Sequence, residues 1–342
     1  MLYWDGDTTP AASNANQHPI SIMKSIPRKL SLCAACVCAS GLIVSAAPLQ
    51  RSDVAANPSW LLHLDCDALR PTTIGQYVLS EMDKPAAKAN LAVFQFIFSF
   101  DLRTQLHGAT LYGTSPAPED AVLILYADFD PARLVTLAQA AKGYQSSPHG
   151  QNVIHNWIDE KKKAKKGVKP KIYAAIQGKR VIFGQREESV GQALDVLSGS
   201  TPSLAAGKVF PDLGLPGNGH IVEAAAQKMK LPDSDPNAVI LKMSQSVQLV
   251  MGESGQQFTG ALMLVADSDE VAGHVLSVAQ GLLALAKLQT DKPESVAVAN
   301  AITIKQDGGY VVGSLVLPAG DVVQMMKTDA ARKAAQAEKA KE

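Results

Sequence analysis

One pattern occurs twice in this chain, and it limits what the chain can fold into. Val122-Leu-Ile-Leu-Tyr-Ala-Asp128-Phe-Asp130 aligns with Ala261-Leu-Met-Leu-Val-Ala-Asp267-Ser-Asp269, in each case an apolar strand ending in Ala-Asp-x-Asp. Each copy runs into helical periodicity. Leu134, Leu137, Ala138 and Ala141 carry it in the first copy, and Val271, Val275, Val278, Leu282, Leu285 and Leu288 in the second. A hairpin signal follows each helix, with Gln177-Gly178 and Asp307-Gly308-Gly309 at the turns, where glycine supplies the positive φ that tight hairpins need. A further helix is predicted after each hairpin, over residues 187–197 and 320–327. Ahead of each copy, residues 60–67 and 219–225 alternate as half-buried strands. Antiparallel pairs are predicted for 103–113 with 121–127 and for 247–252 with 257–266.

A supersecondary unit repeated in this way predicts an α+β protein of two related units, each a mainly antiparallel sheet with helices packed on one face. Pro202, Pro211 and Pro216 mark a Pro/Gly-rich stretch at 201–218 that reads as the linker. The first unit then spans 47–200 and the second 219–328. Residues 329–342 form an Ala/Lys/Glu-rich tail without an apolar stripe, read as a frayed helix or disordered.

The N-terminal region reads differently. Lys24, Arg28 and Lys29 precede an uncharged apolar stretch from Leu30 to Val44, and Val44-Ser45-Ala46 offers small residues for cleavage before Ala47. That is the grammar of a secretory signal peptide over 23–46, which makes Met23 the expected start and residues 1–22 a start-site extension. An exported, periplasmic or extracellular protein is the expectation. The alternative is membrane anchoring by an uncleaved N-terminal segment. Cys33, Cys36 and Cys38 fall inside the apolar stretch, so a mature chain keeps only Cys66 and has no internal disulfide. Removing the charges of residues 1–46 from the totals of 32 basic and 32 acidic residues leaves 29 against 30. That balance argues against nucleic acid as a partner. No apolar run reaches the roughly 20 residues of a membrane span, so membrane contact after cleavage is expected to be at most peripheral.

Three groups of residues could carry chemistry. His63, Asp65 and Asp67 lie at spacing two, which on a strand puts them on one face where they could hold a divalent cation. Asp130 before Pro131 and Asp269 before Glu270 read instead as helix caps. Lys161, Lys162, Lys163, Lys165, Lys166, Lys169 and Lys171 concentrate positive charge in a predicted hairpin loop that could meet an anionic polymer or lipid surface. Phe94, Phe96, Phe98 and Phe100 alternate as they would on one side of a strand lining an apolar pocket, but Leu91, Val93, Phe94, Ile97 and Phe98 fit a buried helix after the helix-prone stretch 86–91, and a core helix is the expectation. Cys66 alternates away from Asp65 and Asp67 and reads as a core thiol. No nucleophile elbow, zinc-protease helix, phosphate loop or dinucleotide fingerprint occurs, so no catalytic residue and no cofactor are expected.

Phe100-Asp101, Thr110-Leu-Tyr-Gly113 and Asp128-Phe-Asp130-Pro-Ala-Arg-Leu134 together resemble a group of uncharacterised secreted bacterial proteins, over residues 60–204. The resemblance implies export and carries over no activity. The expectation is therefore a non-catalytic binding or scaffolding protein, with a component of the cell envelope as its possible partner. One alternative is a hydrolase or metal-assisted enzyme using His63, Asp65 and Asp67. The other is a peripheral binder of anionic polymer or lipid through the lysine loop.

Overall fold

The computed structural model describes residues 47–164, 169–211, 213–214, 219–227, 243–289 and 293–339. The expected start-site extension and signal peptide, together with Lys165 and Lys166, lie outside them. Twelve strands form one antiparallel sheet: β1 Trp60–Asp65, β2 Leu106–Gly113, β3 Ala121–Ala127, β4 Gln145–His149, β5 Asn152–Ile158, β6 Lys171–Gln177, β7 Arg180–Gly184, β8 His220–Gln227, β9 Ser244–Ser254, β10 Gln257–Ala266, β11 Ile302–Asp307 and β12 Tyr310–Pro318. Their order from edge to edge is β11-β12-β10-β9-β8-β1-β2-β3-β7-β6-β5-β4. The helices are α1 Cys66–Leu69, α2 Thr73–Met82, α3 Pro85–Phe98, α4 Pro131–Gln139, α5 Glu187–Leu197, α6 Asp269–Lys287, α7 Pro293–Ala301 and α8 Ala319–Lys339. This is an α+β fold.

The sheet is continuous through its centre, where β1 pairs antiparallel with β8. Outward from that seam, one side runs β1-β2-β3-β7-β6 and the other β8-β9-β10-β12-β11. The two hairpins turn at Gly178 and Gly308, both at positive φ. The five strands nearest the seam thus follow the same order on either side, β5 and β4 extend the first side beyond β6, and all share one sheet.

Helices flank both faces rather than one. The cause is visible in β3 and β7, whose Val122-Leu-Ile-Leu125 and Val181-Ile-Phe183 runs are apolar on both sides of the pleat. On the first face, lateral partners Thr110, Ile124, Ile182, Ala175 and Ile154 lie in one row and are buried. Val190, Ala193 and Leu194 of α5 close over that face and complete the main core. Helices α4 and α6, each following the repeated strand, lie on the second face.

The Pro/Gly-rich stretch read as a linker is folded where it is described. Leu204, Phe210 and Leu213 are buried in the main core. The Arg51 guanidinium threads among their carbonyls, with Nη2 donating to Leu204 and Val209 at 3.1 Å each and Nη1 to Leu213 at 3.1 Å and to Phe210. The segment is thus anchored both by these apolar side chains and by the Arg51 hydrogen bonds to its carbonyls. The tail through Lys339 continues α8, where Asp329 pairs with Arg332 and with Lys333, one turn on.

Helix α2 is tied to the far hairpin. Thr72 caps it by accepting from Gly75 N–H, while Thr73 and Ile74 N–H donate to the Glu253 carboxylate at 2.7 and 3.1 Å. Burial opposes ionisation of Glu253, but these hydrogen bonds prevail and hold its pKa below the ordinary glutamate value. Replacing Glu253 by Gln removes the charge at a helix N-terminus and is expected to cost about 1 kcal/mol in urea denaturation. An unchanged midpoint would count against the tie.

Candidate functional site

The carboxylates and histidine at spacing two are each held by a structural partner. Strand β1 ends at Asp65, so Asp67 leaves the strand face and enters α1. His63 is 1% exposed, with Nδ1 2.9 Å from Thr110 Oγ1 and Nε2 2.9 Å from the Ala47 carbonyl. The carbonyl can only accept, so Nε2 carries the proton and Nδ1 accepts from the threonine. Burial pushes the His63 pKa down to about 4, against the hydrogen bond to Ala47. Asp65 caps α1 by accepting from Ala68 N–H at 2.8 Å, and desolvation raises its pKa. Asp67 pairs with Arg70 and lies 3.0 Å from His107 Nδ1. Among the described residues no three His, Cys, Asp or Glu side chains gather as metal ligands.

Two polar assemblies arise that strand periodicity gives no hint of. His107 bridges Asp67 and Asp128, with Nε2 2.9 Å from Asp128, which in turn accepts from Lys179 Nζ at 2.6 Å. On the first face, Tyr126 Oη donates to buried Asp53 at 3.1 Å, and Arg180 Nε meets the same carboxylate oxygen at 2.9 Å. Burial and the Asp53 charge raise the Tyr126 pKa. These partners come from different elements, Asp53 lying 73 residues from Tyr126 and farther still from Arg180, so no local motif could reveal them. Cys66 stays protonated, since burial pushes its thiol up to about 11. Nothing in these assemblies pairs a nucleophile with a base.

The second face offers a different kind of feature. Between α4 and strands β5, β6 and β7 lies a cleft of about 330 Å³ lined by Leu134, Ala138, Trp157, Ala174, Val181 and Phe183, with Phe98 of α3 at its side. Between α6 and strands β9 to β12 lies a second of about 450 Å³, lined by Val275, Leu282, Leu264, Ile304, Val311 and Leu315. With Gly178 and Gly308 in register, Ala174, Val181 and Phe183 correspond to Ile304, Val311 and Gly313. The same strand positions therefore wall both clefts. His155 is the polar side chain of the first cleft; its Nδ1 meets Tyr144 Oη at 2.9 Å, and burial lowers its pKa.

The helix over the second cleft is apolar on more than one side: Val278, Leu282 and Leu285 of α6 are exposed, as is Leu288 just past its end, by 75%. Helix α3 forms where the phenylalanine-rich pattern predicts a helix, but it has no buried residue; Val93 is 59% and Phe96 82% exposed. Phe94 stacks on Phe98 and meets Phe100 edge-on, and of the three only Phe100, just past the helix, is buried. Leu62 and Leu262 also project from the second face into solvent. Exposed apolar side chains thus occur on α3, on α6 and on the second face of the sheet.

Of the predicted lysine cluster, Lys161, Lys162, Lys163 and Lys169 are exposed at the β5–β6 connection. Lys162 reaches Gln185 at 3.1 Å, and Lys171 is spent on Gln145 and Asn156 at 2.7 and 3.0 Å.

The fold and clefts define an α+β protein built on a single twelve-stranded antiparallel sheet. No family model and no curated protein matches the sequence. Among solved structures, crystal form III of TP0453 is similar at 10% identity and a TM-score of 0.45, over 83% of this chain and 99% of that one. Crystal form I of TP0453 is similar at 8% identity and a TM-score of 0.42, over 82% and 98%. Likeness at this level assigns no function.

Proposed function

We propose that the chain is an exported, non-catalytic protein of the cell envelope that holds an apolar ligand, an acyl chain or one of comparable shape, against the second face of its sheet. The observation that carries this reading is the pair of apolar clefts at equivalent strand positions, one beneath α4 and one beneath α6, the latter helix keeping Val278, Leu282 and Leu285 exposed. Clefts of a few hundred Å³ walled by hydrophobic side chains suit a small organic ligand. Exposed Lys161, Lys162, Lys163 and Lys169 follow β5, the strand that places Trp157 in the first cleft, and they favour a ligand with an acidic head. The charged n-region, apolar stretch and small residues before Ala47 support export.

The test is titration with the neutral fluorophore N-phenyl-1-naphthylamine. Ala138→Trp fills the first cleft, and Gly313→Phe fills the second from a strand position with open space at Cβ. Each variant is expected to remove about half of the fluorescence gain, and the double variant nearly all of it, with the fold intact by circular dichroism. Absence of any gain, or a gain that survives the double variant, sinks the reading.

A further inference from the structure

Ala47, the first residue expected after signal cleavage, sits in a built site. Its backbone nitrogen is 3.4 Å from Asp65 Oδ1, and its carbonyl accepts from His63 Nε2 at 2.9 Å. Both side chains are almost fully buried, at 2% and 1% exposure. Gly108 gives the segment at Ala47 its room: a Cβ there would stand 3.4 Å from Ala47 Cβ and 3.0 Å from the Leu64 carbonyl. Two residues on, Leu49 is locked in the main core, and Val54 follows it there, so the Ala47 nitrogen has little freedom to swing away. Asp65 itself is met by N–H groups, and among the described residues no Lys, Arg or His nitrogen forms an ion pair with it. A buried carboxylate without a cation is costly.

We propose that export processing supplies that cation: cleavage before Ala47 creates an α-ammonium that forms a buried ion pair with Asp65 and locks the mature fold. This rests on the export reading. An export endopeptidase hydrolyses the Ala46–Ala47 bond, breaking C–N. Water gives its hydroxyl to the Ala46 carbonyl carbon and a proton to the Ala47 nitrogen, which takes a second proton from solvent. At neutral pH an ordinary α-amine is largely charged. The neutral amide N–H facing Asp65 is thus replaced by a full positive charge at the same place.

The experiment begins with N-terminal sequencing of the exported protein, for which Ala47 is expected; a different start overturns the export reading. The mature chain is then compared with a chain carrying a Ser-Gly extension before Ala47, each with and without Asp65→Asn, a change that keeps an acceptor to cap α1. The free-amine chain should unfold several degrees higher than the extended one, and Asp65→Asn should close the gap. Equal midpoints, or a gap that survives Asp65→Asn, overturn the ion pair while leaving export standing. A second readout needs no variant. Acetic anhydride should acylate the Ala47 amine about tenfold more slowly in the native mature chain than in urea, and equal rates overturn the proposal.

Discussion

Replacing Arg51 by Ala is expected to destabilise the protein by about 4 kcal/mol, the largest single-residue effect the structure implies. Its guanidinium is shared among four carbonyls, those of Leu204, Val209, Phe210 and Leu213. Each buried acceptor left without a donor costs roughly 1–3 kcal/mol, with water recovering part of it. The carbonyls belong to residues whose side chains complete the main core, so the loss spreads from hydrogen bonds to packing. Arg51→Lys should rescue less than half, because a single ammonium cannot reproduce a planar fork with donors on two nitrogens. Urea denaturation gives the magnitude, and hydrogen exchange gives the place: the amides of Leu204, Ala206 and Gly207 should lose protection first. A cost below about 1 kcal/mol, or uniform loss of protection, would show that the segment is held by its apolar anchors alone.

Arg51 also shows where reading a sequence stops. Its role depends on carbonyls more than 150 residues away, and backbone acceptors carry no residue identity to recognise. Local signals fared better. The Ala-Asp-x-Asp strands, the glycine turns at 178 and 308 and the helix Glu187–Leu197 form as their patterns predict, because each is decided by alternation, turn geometry or capping. Asp130 accepts from Ala132 and Arg133 N–H as a helix cap should, whereas Ser268 rather than Asp269 caps α6. What periodicity cannot decide is which apolar face meets the core. Phe94 to Phe98 have the spacing of a buried helix and form a helix, but none of its residues is buried; Phe94 and Phe98 stack on each other and Phe96 stays in solvent. The clefts were half legible: their wall residues lie at matching offsets from the two hairpin glycines, but only the sheet register puts α4 and α6 over them. His63, Asp65 and Asp67 mislead for a simple reason. Spacing two implies one face only while the strand lasts, and β1 ends at Asp65.

His63 should make stability depend on acidity over a defined window. Its pKa in the folded protein is about 4, against 6.5 for an ordinary histidine. Below pH 6.5 the unfolded chain therefore binds a proton that the folded chain refuses. The stabilisation is complete above pH 6.5, falls by up to about 1.4 kcal/mol per pH unit as the solution is acidified, and is exhausted near pH 4, a total of about 3 kcal/mol. Burial is the larger cause and the Ala47 carbonyl the smaller, opposing one. Other groups titrate nearby. Desolvation raises the pKa values of Asp65 and Glu223, so they take up protons more readily when folded and favour the native state as pH falls. Glu253 acts in the opposite sense at lower pH. The raw pH profile is thus a sum, and the His63 share is the difference between the native chain and His63→Gln, which cannot titrate. The variant should cost most at pH 7. That cost should shrink by about 3 kcal/mol by pH 4, where the native chain must either break the Thr110 and Ala47 contacts or keep an uncharged ring at rising cost. A cost that stays constant between pH 7 and pH 4 would mean that His63 is protonated as readily in the fold as outside it, and that its site between Ala47 and Thr110 admits charge.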